Sequence, residues 1–599
     1  MDGLDDSVGN FRTFKSLEGI VTADMRHRDE RHKGNHTSPW TKRKKQQKAA
    51  AETRKSNSAA QPAPLALTVV SKGRTLIIDT DLARAVECGE YLRKKGMSCT
   101  LCVASGYDGA AASPWSGSLP MMRVKTVSVS GCFGGFTAMV GAENGPVKLK
   151  NQLSQDQEEG SFFDLVLDLQ RVPAYAGTQL PVGYYAPGED AAHLDGVLTE
   201  MTKMRGRFSR PQFTVFLENR CFHGGSGSQG CLRCQRICPV GAIHSEGRGI
   251  VIDPYICQGC GGCALVCPAA AIRLSHPLQE ELLSELRHLI VDSTAKDALP
   301  PTLILYDRQI DNNALPAMAE SATVNRIYYG LEEIGRVGLE VLMSVLAYGA
   351  GSVILVCDPS RPAAIREALR WQVRLGEEIL MGLGLSADRV RFLLHPMAQS
   401  GAESTALTDA LPAVQPVDPL IPSAIFAPEH DKPTLVRMAA MHLYEASGAM
   451  QPVIALPEDA PFGAVAIEAK ACSLCMACAG SCPSGALTAS GEEPRLTLVE
   501  IRCHQCGLCV DACPEKAVRL LPRLLCDMKA ADSPTVLREA EPLGCIECGE
   551  PFASLAMISR MQEKLTGHWM YNSDRQMRRL RMCRTCRTRD ALMAKDFQS

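Results

Sequence analysis

The chain has 599 residues, of which 45% are hydrophobic and 22% charged, and its net charge is -2. This length exceeds what one hydrophobic core supports, so several domains are expected, and the near-neutral charge argues against a protein-wide field for nucleic acid. The unusual number is 26 cysteines. In a long chain whose start lacks an apolar signal segment, they indicate metal ligation rather than disulfides, and we expect a cytoplasmic location.

The first 215 residues divide into a tail and a domain. Residues 1–62 are predicted to be a disordered basic tail, because Arg26 to Lys55 contain eleven Lys or Arg and three acids. Residues 63–215 alternate short apolar runs with helix-like stretches, which predicts an α/β domain. The predicted elements are strands at 76–80, 97–105, 124–130 and 162–169 and a helix at 81–96. The sequence leaves open whether this domain binds a flavin.

Residues 216–280 contain the first of two cysteine-rich blocks. The run CQGCGGCALVCP (257–268) has the C-x2-C-x2-C-x3-C-P spacing that binds 4Fe-4S clusters in bacterial ferredoxins. Its partner run has its last three cysteines in register, but Ser228 stands where the first is expected. The nearest upstream cysteine is Cys221, on the far side of a glycine-rich insertion, and His223 is the alternative ligand.

A second α/β domain is predicted at residues 281–425, followed by a connector of helix and strand at 426–464. The longest apolar run, Leu339 to Cys357, includes Glu340 and a Gly-Ala-Gly-Ser break. A bilayer crossing needs roughly 20 uninterrupted apolar residues, so we expect no membrane span. The predicted elements are strands at 303–306, 352–357 and 389–394 and helices at 331–349, 361–383 and 431–447.

The second cysteine-rich block, at residues 465–525, repeats the ferredoxin spacing twice, in CSLCMACAGSCP (472–483) and CHQCGLCVDACP (503–514). In two-cluster ferredoxins the fourth cysteine of each run binds the other cluster. Four predicted ligand sets follow: Cys221, Cys231, Cys234 and Cys267; Cys257, Cys260, Cys263 and Cys238; Cys472, Cys475, Cys478 and Cys513; and Cys503, Cys506, Cys509 and Cys482. Zinc or buried thiols are the alternative, but neither needs the Cys-Pro terminus that occurs in all four runs.

Residues 535–595 contain a different cysteine pattern. Two C-x-x-C pairs, Cys545 with Cys548 and Cys583 with Cys586, lie on either side of a helix-like stretch and lack a following proline. This spacing predicts a closed, structural site for one zinc ion, with a fifth iron–sulfur cluster as the alternative. We interpret the arginines around the last pair as a solvated face or a contact for an acidic protein, and expect no nucleic acid partner.

The two blocks resemble bacterial 2[4Fe-4S] ferredoxins. The stretches at 334–357 and 368–385 resemble the delta (iron–sulfur) subunit of methyl-viologen-reducing hydrogenase, although Cys357 is the one cysteine in that region. The order of segments is similar to large proteobacterial 4Fe-4S polyferredoxin-like proteins associated with formate dehydrogenase. The resemblance implies a multidomain α+β and α/β fold, with two ferredoxin-like domains interleaved with two α/β domains and a C-terminal zinc knuckle.

The leading hypothesis is an electron-transfer protein or subunit that serves a partner oxidoreductase, a dehydrogenase or hydrogenase-like complex, without a catalytic site of its own. The alternative is an accessory factor that helps to mature a molybdenum or iron enzyme. A third hypothesis, a nucleic-acid-binding redox sensor, conflicts with the near-neutral charge. Four 4Fe-4S clusters and one zinc ion are the predicted cofactors.

Overall fold

A computed structural model describes residues 66–593, except 105–118, 143–144, 150–161, 189, 224–229, 248, 276, 298–299, 309–325, 396–410, 412–419 and 490–493. The predicted tail at 1–62 lies outside the described residues. The described residues form two compact units. The described residues up to Phe213, together with Pro254–Gln258, form the first, and Thr214–Asp253 with the residues after Gln258 form the second.

The first unit is a mixed α/β structure. Its elements are β1 (Ala66–Ser71), β2 (Arg74–Asp79), α1 (Leu82–Lys94), β3 (Ser98–Ala104), β4 (Met121–Val124), β5 (Val127–Ser130), β6 (Thr137–Ala142), β7 (Gly145–Lys148), β8 (Leu165–Asp168), β9 (Tyr184–Tyr185), α2 (Ala191–Lys203) and β10 (Gly206–Pro211). Five strands form a parallel sheet in the order β4-β3-β2-β8-β9. The antiparallel sheets β5-β6-β7 and β1-β10 complete the unit.

The central strand β2 is buried on both faces, as expected for an apolar run in a parallel sheet. Ile77 belongs to the core beneath α1, and Leu76 belongs to the core on the opposite face. Cys99 and Cys102 divide in the same way between the two cores, because side chains three positions apart on a strand point to opposite faces. The single strand predicted at 124–130 was wrong, because β4 ends at Val124 and the chain turns before β5.

The second unit begins with a small cysteine-rich region and continues into a second parallel sheet. Its first elements are β11 (Thr214–Phe216), α3 (Arg233–Ile237), β12 (Ile243–Glu246), β13 (Gly249–Ile252), α4 (Gly262–Val266) and β14 (Ile272–Leu274). The next are α5 (Gln279–Asp297), β15 (Thr302–Asp307), β16 (Arg326–Leu331), α6 (Leu339–Ala347), β17 (Ser352–Cys357), α7 (Ala363–Gly382), β18 (Val390–Leu394) and α8 (Lys432–Ser447). The parallel sheet has the order β16-β15-β17-β18.

The remaining elements contain the other cysteine-rich segments. They are β19 (Val453–Ala455), β20 (Gly463–Ile467), α9 (Ala477–Gly480), β21 (Leu487–Ala489), β22 (Arg495–Leu498), α10 (Leu508–Asp511), β23 (Val518–Leu525), α11 (Met528–Asp532), β24 (Thr535–Glu539), β25 (Pro542–Gly544), β26 (Pro551–Ser554), α12 (Leu555–Leu565), α13 (Asp574–Arg579) and α14 (Arg584–Met593). The strands form the sheets β19-β23-β20, β21-β22-β24 and β25-β26.

Helix α6 is at the centre of the second unit, and every one of its residues is buried. The helix predicted at 331–349 was too long. Glycines at 335 and 338 precede the observed start, and a strand occupies the residues up to Leu331. The core around α6 extends to Ile237 of the first cysteine-rich region and to Leu524 of the second. One continuous core therefore holds both cysteine-rich regions. Each fully buried leucine or isoleucine side chain in it stabilises the fold by roughly 1.5–3 kcal/mol.

No helix in the part of the chain that the structure describes combines the length and the apolar character that a bilayer crossing requires. The run from Leu339 to Cys357 instead forms a buried helix, a turn and the strand β17, as predicted.

Candidate metal centres

Three of the four cysteine runs share one backbone conformation. In the run from Cys503, Gln505 and Gly507 have positive φ angles of 52° and 83°. The corresponding positions of the run from Cys472 are Leu474 and Met476, with φ angles of 57° and 62°. The glycines at 259 and 261 repeat the pattern in the run from Cys257, at 76° and 81°. Left-handed residues at the same two places curl each loop around a common centre.

The Cys-Pro termini repeat a second local structure. The third residue after each of these cysteines also has a positive φ, at Gly241, Ala270, Gly485 and Lys516. The backbone N–H of a residue four or five positions after the cysteine then donates to the cysteine sulfur. The distances are 3.2 Å for Ala242 to Cys238, 3.2 Å for Ala271 to Cys267, 3.5 Å for Leu487 to Cys482 and 3.3 Å for Ala517 to Cys513. Such N–H donors stabilise a thiolate and tune a cluster bound to it.

Two groups of thiols lie in the region around β20–β23. Burial raises the pKa of Cys509 to about 12, and the thiolates of Cys503, Cys506 and Cys482 act in the same direction. Burial also raises the pKa of Cys478, to about 11, and there the additional thiolates are those of Cys472, Cys475 and Cys513. The fourth cysteine of each run therefore interacts with leading cysteines of the other run.

The second of these groups lines a small cavity. The thiols of Cys472, Cys475, Cys478 and Cys513 line it, together with apolar side chains that include Ile467 and Leu496. Four convergent sulfurs in an apolar enclosure fit an iron–sulfur cluster in both donor type and setting.

Cys221 lies beside the run that follows the glycine-rich insertion. The backbone N–H of Cys231 donates to the carbonyl of Phe222 at 3.4 Å and closes the base of the loop. Burial raises the pKa of Cys234 to about 12, and the thiolates of Cys231, Cys267 and Cys221 add to this effect. Cys221 therefore joins the same group as its three predicted partners.

His223, the alternative ligand, is engaged elsewhere. Its Nδ1 lies 3.1 Å from the carbonyl oxygen of Cys231, and the residue is 7% exposed. Its backbone N–H lies 3.5 Å from Cys221 Sγ, so the residue already supports the neighbouring thiol.

The remaining cysteines of the first block lie at the ends of short elements. Cys263 lies in α4, whereas Cys238 caps the end of α3. Cys234 and Cys263 belong to one apolar cluster, against which Cys221 and Cys238 pack. Cys257 and Cys260 lie in the loop before α4.

The four C-terminal cysteines are packed far more tightly. In the described part of the chain, Cys545, Cys548, Cys583 and Cys586 are the one group whose ligand atoms all lie within 4.8 Å of one another. The Sγ atoms of Cys548 and Cys583 are 3.7 Å apart. A zinc ion with Zn–S bonds of about 2.3 Å and tetrahedral geometry sets its sulfurs about 3.8 Å apart, so this site fits a single ion.

Backbone N–H groups around this tight site favour the thiolate of Cys545, whereas a hydrogen bond with Cys548 raises the pKa of Cys586 to about 12. Burial opposes ionisation of Cys545, but backbone N–H donors of Cys583, Cys548 and Glu547 outweigh it and lower its pKa to about 6. The guanidinium of Arg589 lies 3.8 Å from Cys586 Sγ. His568 is exposed, and its Nδ1 accepts from the backbone of Met570, so it takes no part in the site.

Two residues that the spacing does not reveal act on the run from Cys503. Gln505 Nε2 donates to Cys503 Sγ at 3.3 Å and to the carbonyl of Ala464 at 2.8 Å. Arg437 is 2% exposed and is stacked over the ring of Phe462 at 5.2 Å. Burial lowers its pKa to about 10, which leaves it charged at neutral pH.

A comparison with known families agrees with this geometry. A profile described as "4Fe-4S dicluster domain" matches residues 202–271 and 471–517. No curated protein matches the chain. The chain is therefore a mixed α/β, multidomain protein with two ferredoxin-type regions. Regions of this type take part in iron–sulfur electron transfer.

Proposed function

We propose that the chain carries electrons through four 4Fe-4S clusters to or from a partner oxidoreductase. One observation carries the proposal: the same left-handed positions and the same N–H to sulfur contacts recur at the Cys-Pro termini of all four runs. Iron–sulfur clusters supply one-electron chemistry over a wide range of potentials. The described residues contribute the thiolates, the N–H donors and apolar side chains that line one of the cavities.

The proposed ligand sets follow the exchange of fourth cysteines between runs. In the second module they are Cys472, Cys475, Cys478 and Cys513, and Cys503, Cys506, Cys509 and Cys482. In the first module they are Cys221, Cys231, Cys234 and Cys267, and Cys257, Cys260, Cys263 and Cys238. The pKa effects at Cys234, Cys478 and Cys509 support three of these sets.

Metal analysis tests this proposal. We expect protein purified without oxygen to contain about sixteen irons per chain, with matching sulfide and the EPR signals of reduced 4Fe-4S clusters. A colourless protein, or zinc at the ferredoxin cysteines, would refute it. Flavin released by acid from the same sample shows whether the first α/β region binds one.

We also propose a structural zinc ion at Cys545, Cys548, Cys583 and Cys586. The sulfur separation of 3.7 Å supports one ion rather than a cluster. The same metal analysis should return about one zinc per chain. Iron for a fifth cluster, without zinc, would instead indicate that these four cysteines bind an iron–sulfur cluster.

The partner is proposed from the resemblance of the segment order to proteins associated with formate dehydrogenase. We expect formate and a formate dehydrogenase to reduce the chain rapidly, with all iron retained. Transfer of iron to an apo-enzyme, or binding of the apo-enzyme alone, would instead favour a maturation factor. A cytoplasmic location is proposed with it, because exposed thiolate ligands persist in a reducing compartment.

A further inference from the structure

Two aromatic rings connect the two ferredoxin-type modules. The ring centroids of Phe222 and His504 are 5.2 Å apart, and the rings are tilted by 44°. Phe222 directly follows Cys221, and His504 directly follows Cys503. Phe222 is 6% exposed, so little water reaches the contact. Aromatic pairs of this kind contribute about 0.5–1.5 kcal/mol beyond their burial.

Helix α8 reinforces this contact from both sides. Its N-cap residue, Asp431, accepts from the backbone of Thr434 and forms an ion pair with Arg220 at 2.9 Å. Two turns later, Arg437 donates to the carbonyl of Glu500 at 3.4 Å. Arg220 precedes Cys221, and Glu500 precedes the run from Cys503. One helix therefore fixes the loops on both sides of the ring pair.

The pair lies next to one thiol group of each module. The backbone N–H of Cys231 donates to the carbonyl of Phe222 at 3.4 Å, which places Cys221 beside Cys231. Cys503 lies in one apolar cluster with Cys509, and Cys482 packs against that cluster. The two other thiol groups contain neither residue that precedes a ring.

We infer that Phe222 and His504 are positioning residues that hold the Cys221 loop and the Cys503 loop close enough for electron exchange between the modules. The inference rests on the proposed function and adds an order to it. The series runs from the group of Cys257 to that of Cys221, then to that of Cys503, and ends at that of Cys475. At the joint, which is the contact between Phe222 and His504, the cluster held by one thiol group would lose one electron and the cluster held by its neighbour would gain it, with no bond or proton changed.

The distance between the loops matters because electron tunnelling slows exponentially as two centres move apart. Replacing either ring by an aliphatic side chain removes the contact between the two rings and leaves the cysteines in place. The change should therefore slow exchange between modules without changing exchange within a module. It should also leave the iron content and the midpoint potentials unchanged, which separates a positioning role from a ligand role.

The test uses the full-length, iron-loaded chain and a photoexcited flavin that delivers less than one electron per chain. Redistribution of the electron is followed by absorbance and by rapid-freeze EPR. We expect Phe222→Leu and His504→Leu to slow the redistribution about tenfold, which is less than the roughly 10²-fold that a misplacement of about 1 Å can cost. His504→Phe keeps two aromatic rings in contact and should retain the wild-type rate. Ser473→Ala, at the position after Cys472, is the matched control.

Each outcome decides between defined alternatives. Leucine variants that keep all their iron and redistribute the electron at the wild-type rate would refute the positioning role of the two rings. Arg220→Gln is the second variant if the leucine variants lose iron, because it opens the ion pair to Asp431 and leaves both rings in place. A wild-type rate in that variant would also overturn the joint. Wild-type protein without iron would instead refute the proposed function itself.

Discussion

Gly507 and Gly261 occupy the same place in two cysteine runs, but their surroundings differ. Both have positive φ angles, which an L side chain adopts at a cost of about 1–2 kcal/mol. A Cβ at Gly507 would meet nothing within 4 Å, whereas at Gly261 it would lie 2.8 Å from the carbonyl carbon of Gly335. Strain alone therefore applies at Gly507, and strain with a backbone clash applies at Gly261.

We expect Gly507→Ala to lower the free energy of unfolding by about 1–2 kcal/mol and to keep its iron. Gly261→Ala should be clearly worse and should lose part of its iron. Urea titrations that follow the visible absorbance of the anaerobic protein compare the two variants. Equal losses of stability in the two variants would show that the close approach of Gly335 to Gly261 does not add to the cost of the substitution.

Gln505 distinguishes two otherwise similar runs. Its side chain donates to Cys503 Sγ, whereas Leu474 occupies the equivalent position after Cys472. A donor to the sulfur favours the reduced, more negative cluster, so its loss lowers the reduction potential.

Gln505→Leu reproduces the residue of the other run and tolerates the same left-handed backbone. We expect the midpoint potential of one cluster to fall by roughly tens of millivolts, with the others unchanged. Potentiometric titration followed by EPR measures the shift. Leu474→Met, which adds no N–H donor, is the control, and an unchanged potential in Gln505→Leu would contradict the prediction.

At the scale of elements, three strands of the parallel sheet β16-β15-β17-β18 end at a buried ionic network. Arg361 is bidentate to Asp307, the last residue of β15, and its Nη1 lies 2.8 Å from Glu333, after β16. Burial is the largest cause that raises the pKa of Glu333, from 4.5 to about 7, although Arg361 opposes it. The folded protein therefore holds this proton more tightly than the unfolded chain.

The sign of the pH effect follows from that difference. Between about pH 4.5 and pH 7 the unfolded chain has lost the proton and the folded protein still binds it, so stability falls as pH rises. Glu333→Gln removes this dependence, which amounts to at most about 3 kcal/mol. Denaturation followed by tryptophan fluorescence at pH 5 and pH 8 measures it. A variant with the same pH dependence as the wild type would contradict the assignment.

Two serines cap helices of the C-terminal region, and only one of them also reaches a cysteine run. Ser554 accepts from Met557 at the start of α12 and donates to the carbonyl of Ser473 at 2.9 Å. Ser573 caps α13 in an exposed capping box. Loss of either cap costs about 1 kcal/mol.

We expect Ser554→Ala to destabilise the protein more than Ser573→Ala does, because it also leaves a buried carbonyl without its donor. Thermal melts of both variants under argon test this. Equal melting temperatures would indicate that the link to Ser473 carries no energy.

The sequence shows three of the four ligand runs in full, because ligand spacing is local and follows from the shape of the bound group, whereas Ser228 interrupts the fourth. The parallel strands were predictable for a similar reason, since they are continuous apolar runs bounded by turns. The joint between the modules was not predictable. Arg220 and Asp431 are 211 residues apart, and nothing local marks Phe222 or His504 as partners. The role of Gln505 likewise depends on a fold that brings its amide back to Cys503.

At the scale of the whole molecule, the C-terminal region packs against the last group of the series. Glu515 follows Cys513-Pro514 and accepts from Lys564 of α12 at 3.4 Å, and Ser554 adds its bond to Ser473. Glu515 also lines the cavity of the Cys475 group. The C-terminal region therefore contacts the wall of this cavity, and the zinc ion that we propose at its four cysteines would hold that region together.

Cys583→Ser should release zinc and leave the iron content unchanged, because no ferredoxin ligand is touched. The contacts of α12 should then loosen, so one cluster should bleach faster in air than it does in the wild type. Metal analysis and the time course of visible absorbance after air exposure measure both effects. Cys526→Ser, which replaces a buried thiol outside every ligand set, is the control. Loss of four irons from Cys583→Ser would mean that these cysteines bind a cluster, and an unchanged rate of bleaching would mean that the C-terminal region shields none.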